Sequence, residues 1–567
     1  LEEEQRKMGA DRNTFYVTTP IYYASGDLHI GHAYSTVVAD ALARFNRLRG
    51  RRTFFLTGTD EHGQKVESKA RAAGLEPQEY VDRIVERIIR LWDRLLISYD
   101  DFIRTTQPRH ERVVQKVFER FLENGDIYRS EYQGWYCTPC ETFWLERQLV
   151  DGRCPNPECR SEVRLLSEES YFFRLSKYQD RLLRYIEEHP DFIQPPSRRN
   201  EMVSFIRQGL EDVCVTRTTF RWGVPVPWDP RHVVYVWIDA LLNYVSALGY
   251  LSDEPGGDER FRTFWPADVH ILAKEILRFH AVIWPCLLMA LDLPLPERVF
   301  GHGWLVLDGG KMSKSRGNVV DPNVLMDKYG VDAVRYFLLR DVPFGADGRY
   351  SELALVERLN VDLANDLGNL AHRTLTMVER YREGVVPAPV IEADDGTLAR
   401  LLGEVVPQVE RAMDDLRVPE ALEAVWRLVS LGNHYIEDNA PWRLAKDESA
   451  RARLDTVLYN LLETLRALGG LLLPFLPETP GRIWAQLGLD PAGLAGVRWG
   501  DIARWGQLPP GTRVARGAPL FPRVDVRSLG APAQERPGEP AEEPVGESGT
   551  PGVAEAVAED GVRGAGA

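Results

Sequence analysis

The chain alternates strand-like and helical segments, interrupts that alternation with a cysteine-bearing stretch, and then turns helical to near its end. Few architectures accept that order. Phe15 to Thr19 is β-branched and aromatic and reads as a buried strand. After the turn Ser25-Gly26-Asp27, apolar residues from Gly31 to Leu48 recur at helical spacing, and Gly50 ends the helix. Thr53 to Thr57 predicts a second strand, Pro77 to Ile97 an amphipathic helix, Phe102 to Thr105 a third strand, and His110 to Glu123 another helix. Strands separated by helices imply a parallel α/β sheet. Residues 129–222 carry four clustered cysteines and short strand-like runs, and read as an insertion between two halves of that sheet. The alternation resumes with Val233 to Ile238 and continues to Val299–Leu307. Amphipathic stretches over 355–383, 397–415, 418–437 and 451–473 predict an antiparallel helical bundle.

This divides the chain into an N-terminal extension (1–12), a first half-sheet (13–128), the insertion (129–222), a second half-sheet (223–308), a loop and connecting region (309–354), the bundle (355–527) and a tail (528–567). The tail lacks aromatic residues and is dominated by Gly, Pro, Ala and Glu, the composition of a disordered segment. It holds eight acidic and two basic residues, so it carries −6 of the net charge of −15. The acidic total argues against non-specific binding to DNA or membranes. Local basic stretches, such as Arg44, Arg47, Arg49, Arg51 and Arg52, leave room for a nucleic acid met selectively. Residues 1–13 are charged and show no signal peptide, and no apolar run is long enough to span a membrane. Six cysteines in 567 residues are no secreted disulfide framework. A cytoplasmic multidomain enzyme is expected.

His29-Ile30-Gly31-His32 follows the first strand and opens a helix. A helix N-terminus offers unpaired N–H groups and a positive dipole end, which suit phosphate. Gly31 allows a planar base close to the backbone. Two imidazoles three residues apart can stabilise charge building on a polyphosphate. The competing reading is two solvated histidines. Lys311-Met312-Ser313-Lys314-Ser315, after Gly309-Gly310, forms a cationic loop able to close on a leaving pyrophosphate; alone it reads more readily as an ordinary basic surface loop. The sequence has no Gly-x-x-x-x-Gly-Lys-Ser/Thr motif, so an ATP site here is not of the P-loop type.

Together, in this order and separation, the two motifs resemble the class I aminoacyl-tRNA synthetases. Within them the chain is similar to the bacterial methionyl-tRNA synthetases over nearly all of 13–523. The resemblance rests on Phe15-Tyr16-Val17-Thr18-Thr19-Pro20-Ile21-Tyr22-Tyr23, Thr57-Gly58-Thr59-Asp60-Glu61-His62-Gly63, Tyr235-Val236-Trp237-Ile238-Asp239-Ala240-Leu241 and His280-Ala281-Val282-Ile283-Trp284-Pro285, besides the lysine loop. It implies a Rossmann-type sheet and ATP-dependent activation of L-methionine, with Mg²⁺ alongside ATP and tRNA(Met) as acceptor. His29 and His32 would face the α- and β-phosphates, and Lys311 and Lys314 the pyrophosphate. Gly31, Ser313 and Ser315 complete the ATP-binding set.

The same resemblance places Asp60 and the backbone of Ile21 at the methionine ammonium. It lines the side-chain pocket with Tyr23, Trp237, Ala240, Leu241, Tyr244, Ile276, His280 and Trp284. Glu275 stands where the family often has Asp, which shifts a hydrogen bond at the pocket mouth or toward the ribose. Asn369, Arg373 and Trp442 match the family's anticodon readers. An unstacked base can stack on indole while Arg and Asn bond its edge.

Cys137-x-x-Cys140 and Cys154-x-x-x-x-Cys159 offer four soft ligands for a tetrahedral, structural zinc. The resemblance supports this, although the second pair is spaced more widely than usual. Cys214 and Cys286 stand apart and read as buried apolar residues. The expected oligomeric state is a monomer. A class I synthetase for another amino acid, such as cysteine, would carry its zinc at the amino-acid pocket instead. A non-catalytic tRNA-binding paralogue would not need His29, His32, Lys311 and Lys314.

Overall fold

The first apolar run forms the strand Thr14–Tyr23 (β1), buried from Phe15 to Pro20, as a central strand of a parallel sheet must be. The computed structural model describes residues 13–529 except 141, 145, 157–158, 308–309, 312–318 and 391–395. β1 pairs with Arg52–Asp60 (β2), which pairs with Asp101–Arg104 (β3). At the close approach of β2 to β3, a Cβ on Gly58 would lie 2.0 Å from the Ile103 carbonyl oxygen, so glycine is required. On its other side β1 pairs with Val269–Ala273 (β5), then comes Val299–His302 (β6), and Ile193–Gln194 (β4) closes the edge. Every pairing is parallel, in the order β3-β2-β1-β5-β6-β4. The order reverses between β1 and β5, and ligands of such sheets bind beyond the strand carboxyl ends at that point. Within β1 the register with β2 slips between Thr18 and Ile21, at Pro20, which has no N–H to give the ladder.

Two differences from the sequence reading concern the second half of the sheet. Val233–Ile238 is not one of its strands. Asp229–Val234 pairs antiparallel with Thr216–Arg217 and Pro225–Val226 in a small separate sheet, and Val236–Leu241 is a helix. The parallel sheet resumes only at β5. A short buried apolar run has no period that tells strand from helix. Conversely, β4 comes from within 129–222 yet adds to the parallel sheet. The rest of that stretch builds an antiparallel sheet from Ile127–Cys137, Thr142–Trp144, Arg164–Phe173 and Val213–Cys214.

The helix Ile30–Leu48 (α1) follows β1 and buries most of its surface. The helical part holds Asn369–Arg382 (α2), Thr397–Asp414 (α3), Val418–Asn439 (α4) and Arg451–Leu472 (α5). α5 is buried on all sides from Thr456 onward, which makes it the central helix of the bundle. The single stretch expected over 355–383 has a wide π-helical segment, Leu359–Gly368, before α2. Arg335, on the helix Val331–Arg340, ties bundle to sheet. It donates to Phe475 O (3.0 Å), Leu95 O (3.0 Å) and Asp40 Oδ2 (2.6 Å), and both partners of the ion pair are fully buried. No described helix is long and apolar enough to cross a membrane. Asp525–Ala567 forms a second unit, whose described residues make one short turn, Val526–Ser528, capped by Asp525.

Candidate active site and metal centre

His29 is the N-cap of α1, and its Nδ1 accepts from the Gly31 amide (3.1 Å). His32 reciprocates: its Nδ1 accepts from the His29 amide (3.0 Å). The two histidines thus do what Ser/Thr and Glu/Gln do in an ordinary capping box. A ring whose Nδ1 accepts from an amide carries its neutral-form proton on Nε2, so both rings become Nε2–H donors. The rings lie 3.9 Å apart, centroid to centroid, and Tyr22 packs edge-on against His32. Gly31 has a local reason to be glycine: a Cβ there would lie 2.9 Å from His29 Cε1.

The chain is tied down on either side of the lysine loop. Gly310–Lys311 pairs antiparallel with Leu305–Leu307, and the Ile30 amide donates to Val320 O (3.0 Å). Ser313, Lys314 and Ser315 lie outside the described residues, as does the side chain of Lys311.

The proposed amino-acid pocket lies beyond the carboxyl ends of β1, β2 and β5. Tyr23 and Asp60 are register partners at the ends of β1 and β2, and Ile21 is opposite Gly58. His280 sits in a π-helical turn, Phe279–Ile283, a form often found at functional sites. Its Nδ1–H donates to Ile276 O (3.0 Å), so Nε2 accepts from the Tyr244 hydroxyl (2.7 Å). Burial holds His280 at about 4, and therefore neutral. Trp237 stacks on Phe279 at 3.8 Å and 7°, while Ala240 and Leu241 are buried on the same helix. Trp284 packs beside Tyr244 (ring centroids 5.8 Å apart), fully buried, its indole N–H on His270 Nε2 (3.3 Å). Glu275 is exposed, and its carboxylate accepts from the Trp304 indole (2.5 Å).

The four cysteine Sγ atoms all lie within 4.8 Å of one another, with Cys137 to Cys159 at 3.4 Å and Cys140 to Cys154 at 3.8 Å. These separations exclude disulfides. A tetrahedron of Zn–S bonds of about 2.3 Å has edges of about 3.8 Å, so this cluster could hold a metal ion. Hydrogen bonds from Cys140, against the effect of burial, pull the Cys137 thiol down to about 5, while the Cys137 thiolate pushes Cys140 up. Four thiolates this close repel one another unless a cation joins them.

In the bundle, Asn369 and Arg373 are half-buried on α2, and Arg373 donates to Glu437 (2.6 Å) near the end of α4. Trp442 follows five residues after Glu437 and is 38% exposed. Arg373 thus pairs with the last turns of α4, and Trp442 lies on the short helix Pro441–Leu444 that follows α4.

The family model for class I tRNA synthetases (M) matches residues 15–165 and 157–375, and that for the anticodon binding domain of methionyl tRNA ligase matches 386–529. The methionine–tRNA ligase of Caldanaerobacter subterraneus subsp. tengcongensis is 57% identical over 544 residues, covering 94% of this chain and 83% of that protein. The chain belongs to the methionyl-tRNA synthetase family. A second relative, the methionine–tRNA ligase of Halalkalibacterium halodurans, is 54% identical over 92% of this chain and 80% of that protein. The solved structure of Mycobacterium tuberculosis methionyl-tRNA synthetase in complex with methionyl-adenylate superposes with a TM-score of 0.84 at 44% identity, covering 90% of this chain and all of that one.

The sequence reading of the synthetase site passed over several residues. Phe279, between Arg278 and His280, belongs to no motif of its own. Asp239 and His62 lie within Tyr235–Leu241 and Thr57–Gly63, where the sequence alone assigns them no role. Asp239, fully buried, accepts from His62 Nδ1 (2.7 Å) and His110 Nε2 (2.9 Å). A carboxylate with no exposure has to be paired, but its partners lie 177 and 129 residues away, beyond any local pattern. Burial alone would raise Asp239, yet the two histidines bring it down to about 2. Burial alone would lower His62, but Asp239 and Glu111 reverse that and raise it.

The signs fix a pH window. Asp239 stabilises the fold above its unfolded value of about 3.9, and that contribution is lost as pH falls through about 2. His62 stabilises it below about 6.5, and that contribution is lost as pH rises through its raised folded value. The difference in thermal midpoint between wild type and His62→Gln is therefore expected to be widest between about pH 4 and 6.5, and to narrow at higher pH. A difference that grows as pH rises contradicts this assignment.

Proposed function

We propose that this synthetase activates L-methionine with ATP and charges tRNA(Met) through the residues assembled above. The methionine carboxylate oxygen attacks the α-phosphorus; the bond to the bridging oxygen breaks and pyrophosphate leaves, giving methionyl-adenylate. The 2′-hydroxyl of the terminal adenosine then attacks the methionyl carbonyl, losing its proton, and AMP leaves. Catalysis of this kind is positioning plus electrostatics. His29 and His32 donate from Nε2 to oxygens on the α- and β-phosphates, with the N-terminus of α1 adding its dipole. Lys311 and Lys314 neutralise the departing pyrophosphate, with Gly31, Ser313 and Ser315 completing the ATP site. Mg²⁺ with ATP would supply further charge neutralisation. Cys137, Cys140, Cys154 and Cys159 would hold a structural zinc, with no open position for chemistry.

Asp60 and the Ile21 backbone receive the ammonium. Tyr23, Trp237, Ala240, Leu241, Tyr244, Ile276, His280 and Trp284 surround the thioether. A neutral His280 hydrogen-bonded to Tyr244 suits an uncharged, polarizable sulfur. Asn369, Arg373 and Trp442 read the anticodon.

What carries this reading is the reciprocal histidine cap of α1, which presents two N–H donors at the sheet's switch point. The whole-enzyme test is charging of a transcript with a CAU anticodon. Trp442→Ala is expected to lower kcat/KM for that tRNA about 10- to 100-fold, the worth of one base stack, while ATP–pyrophosphate exchange keeps its rate. Unchanged charging by Trp442→Ala overturns the anticodon assignment.

A further inference from the structure

We infer that Asp239 is a positioning residue: it fixes the spacing between the two ends of the methionine pocket, and so the length of side chain the synthetase accepts. The inference rests on the pocket reading above, and the two can fail separately.

The ammonium end is set by Asp60, the thioether end by the helix Val236–Leu241. Trp237 and Leu241 are four apart and share one face of that helix, while Asp239 is turned away from them. Asp239 is fully buried and holds His62 at 2.7 Å and His110 at 2.9 Å. His62 lies two residues beyond Asp60, on a chain that is otherwise tightly tied. The Glu61 carbonyl accepts from the Trp222 indole (2.6 Å), and its carboxylate takes Arg104 Nε (2.7 Å) and Thr106 Oγ1 (2.6 Å). Those bonds hold Asp60 against β3 and the loop after it. The His62–Asp239 bond joins the same chain to the helix carrying Trp237. His110 donates to the other oxygen from the helix Pro108–Glu123 and is itself bonded to Ser246 (2.7 Å), so Asp239 cannot swing with His62. Glu111, 3.8 Å from His62 Nε2, and Glu61 are further charged groups acting on His62. A contact made by a buried carboxylate thus ties the chain carrying Asp60 to the helix carrying Trp237, and helps set their distance.

The test is steady-state pyrophosphate exchange with the full-length enzyme, using methionine and its longer homologue ethionine. Asp239→Asn removes the charge but keeps the size. It is expected to raise KM for methionine about tenfold, the worth of a charge-assisted hydrogen bond, with KM for ATP within about twofold. It should also lower the preference for methionine over ethionine at least about threefold, because a loosened pocket discriminates one methylene poorly. His62→Ala removes the same bond from its other side. The double variant should then exceed the worse single by no more than about twofold. Effects that multiply, or a methionine KM unchanged in both single variants, overturn the inference. Asp60→Asn, run alongside, separates the two readings. If it raises methionine KM and Asp239→Asn does not, the clamp falls and the pocket stands. If only Asp239→Asn raises it, the ammonium assignment falls and the clamp stands.

Discussion

The double substitution His29→Asn with His32→Gln is expected to lower methionine-dependent ATP–pyrophosphate exchange about 100- to 1,000-fold, the usual cost of removing preorganised donors from a developing charge. The pair is chosen because it leaves the helix start intact. Asn ranks among the best N-caps and Gln serves at the third position of a capping box, so α1 keeps both side-chain bonds to its first amides. The thermal midpoint should move by no more than about 3 °C, since cap effects are about 1 kcal/mol. Alanine at the same positions would mix lost capping with lost catalysis. Exchange within threefold of wild type in a folded double variant would remove the histidines from the phosphate site.

The second large effect concerns stability. Asp40→Ala is expected to cost about 3–5 kcal/mol, measured by urea unfolding, because it strands the Arg335 guanidinium without its counter-charge. Both groups are fully buried. Burial would raise the Asp40 carboxyl, but Arg335, Arg44 and the Ser98 hydroxyl and amide hold it below its usual value. Replacing both partners, Asp40→Leu with Arg335→Met, should recover most of the loss, since an apolar pair leaves no buried charge unpaired. If the double replacement is as unstable as Asp40→Ala, the cost comes from packing and not from charge.

These two predictions show which parts of the molecule could be read from its sequence. The histidine pair, the strands β1 to β3, the cysteine cluster and the bundle helices α3 to α5 all follow from local pattern: a helix cap, a β-branched run, paired thiols, a helical period. The boundary of the second half-sheet did not. Val233–Ile238 and β5 are both short, buried apolar runs, and only tertiary pairing distinguishes them. Asp40–Arg335 and His62–Asp239–His110 were invisible for another reason. Each is a buried charge whose partner is 129 or more residues away, so a single sequence shows an ordinary acidic residue on a helix. Trp284 illustrates the converse. The resemblance puts it on the pocket wall, and the structure shows it as buried as Tyr244, with which its ring is in contact.

The central claim is that this chain activates methionine. It is tested most directly by ATP–pyrophosphate exchange with each of the twenty amino acids supplied singly. The account predicts exchange with methionine alone. Exchange supported by cysteine or another amino acid, or by none, would contradict it.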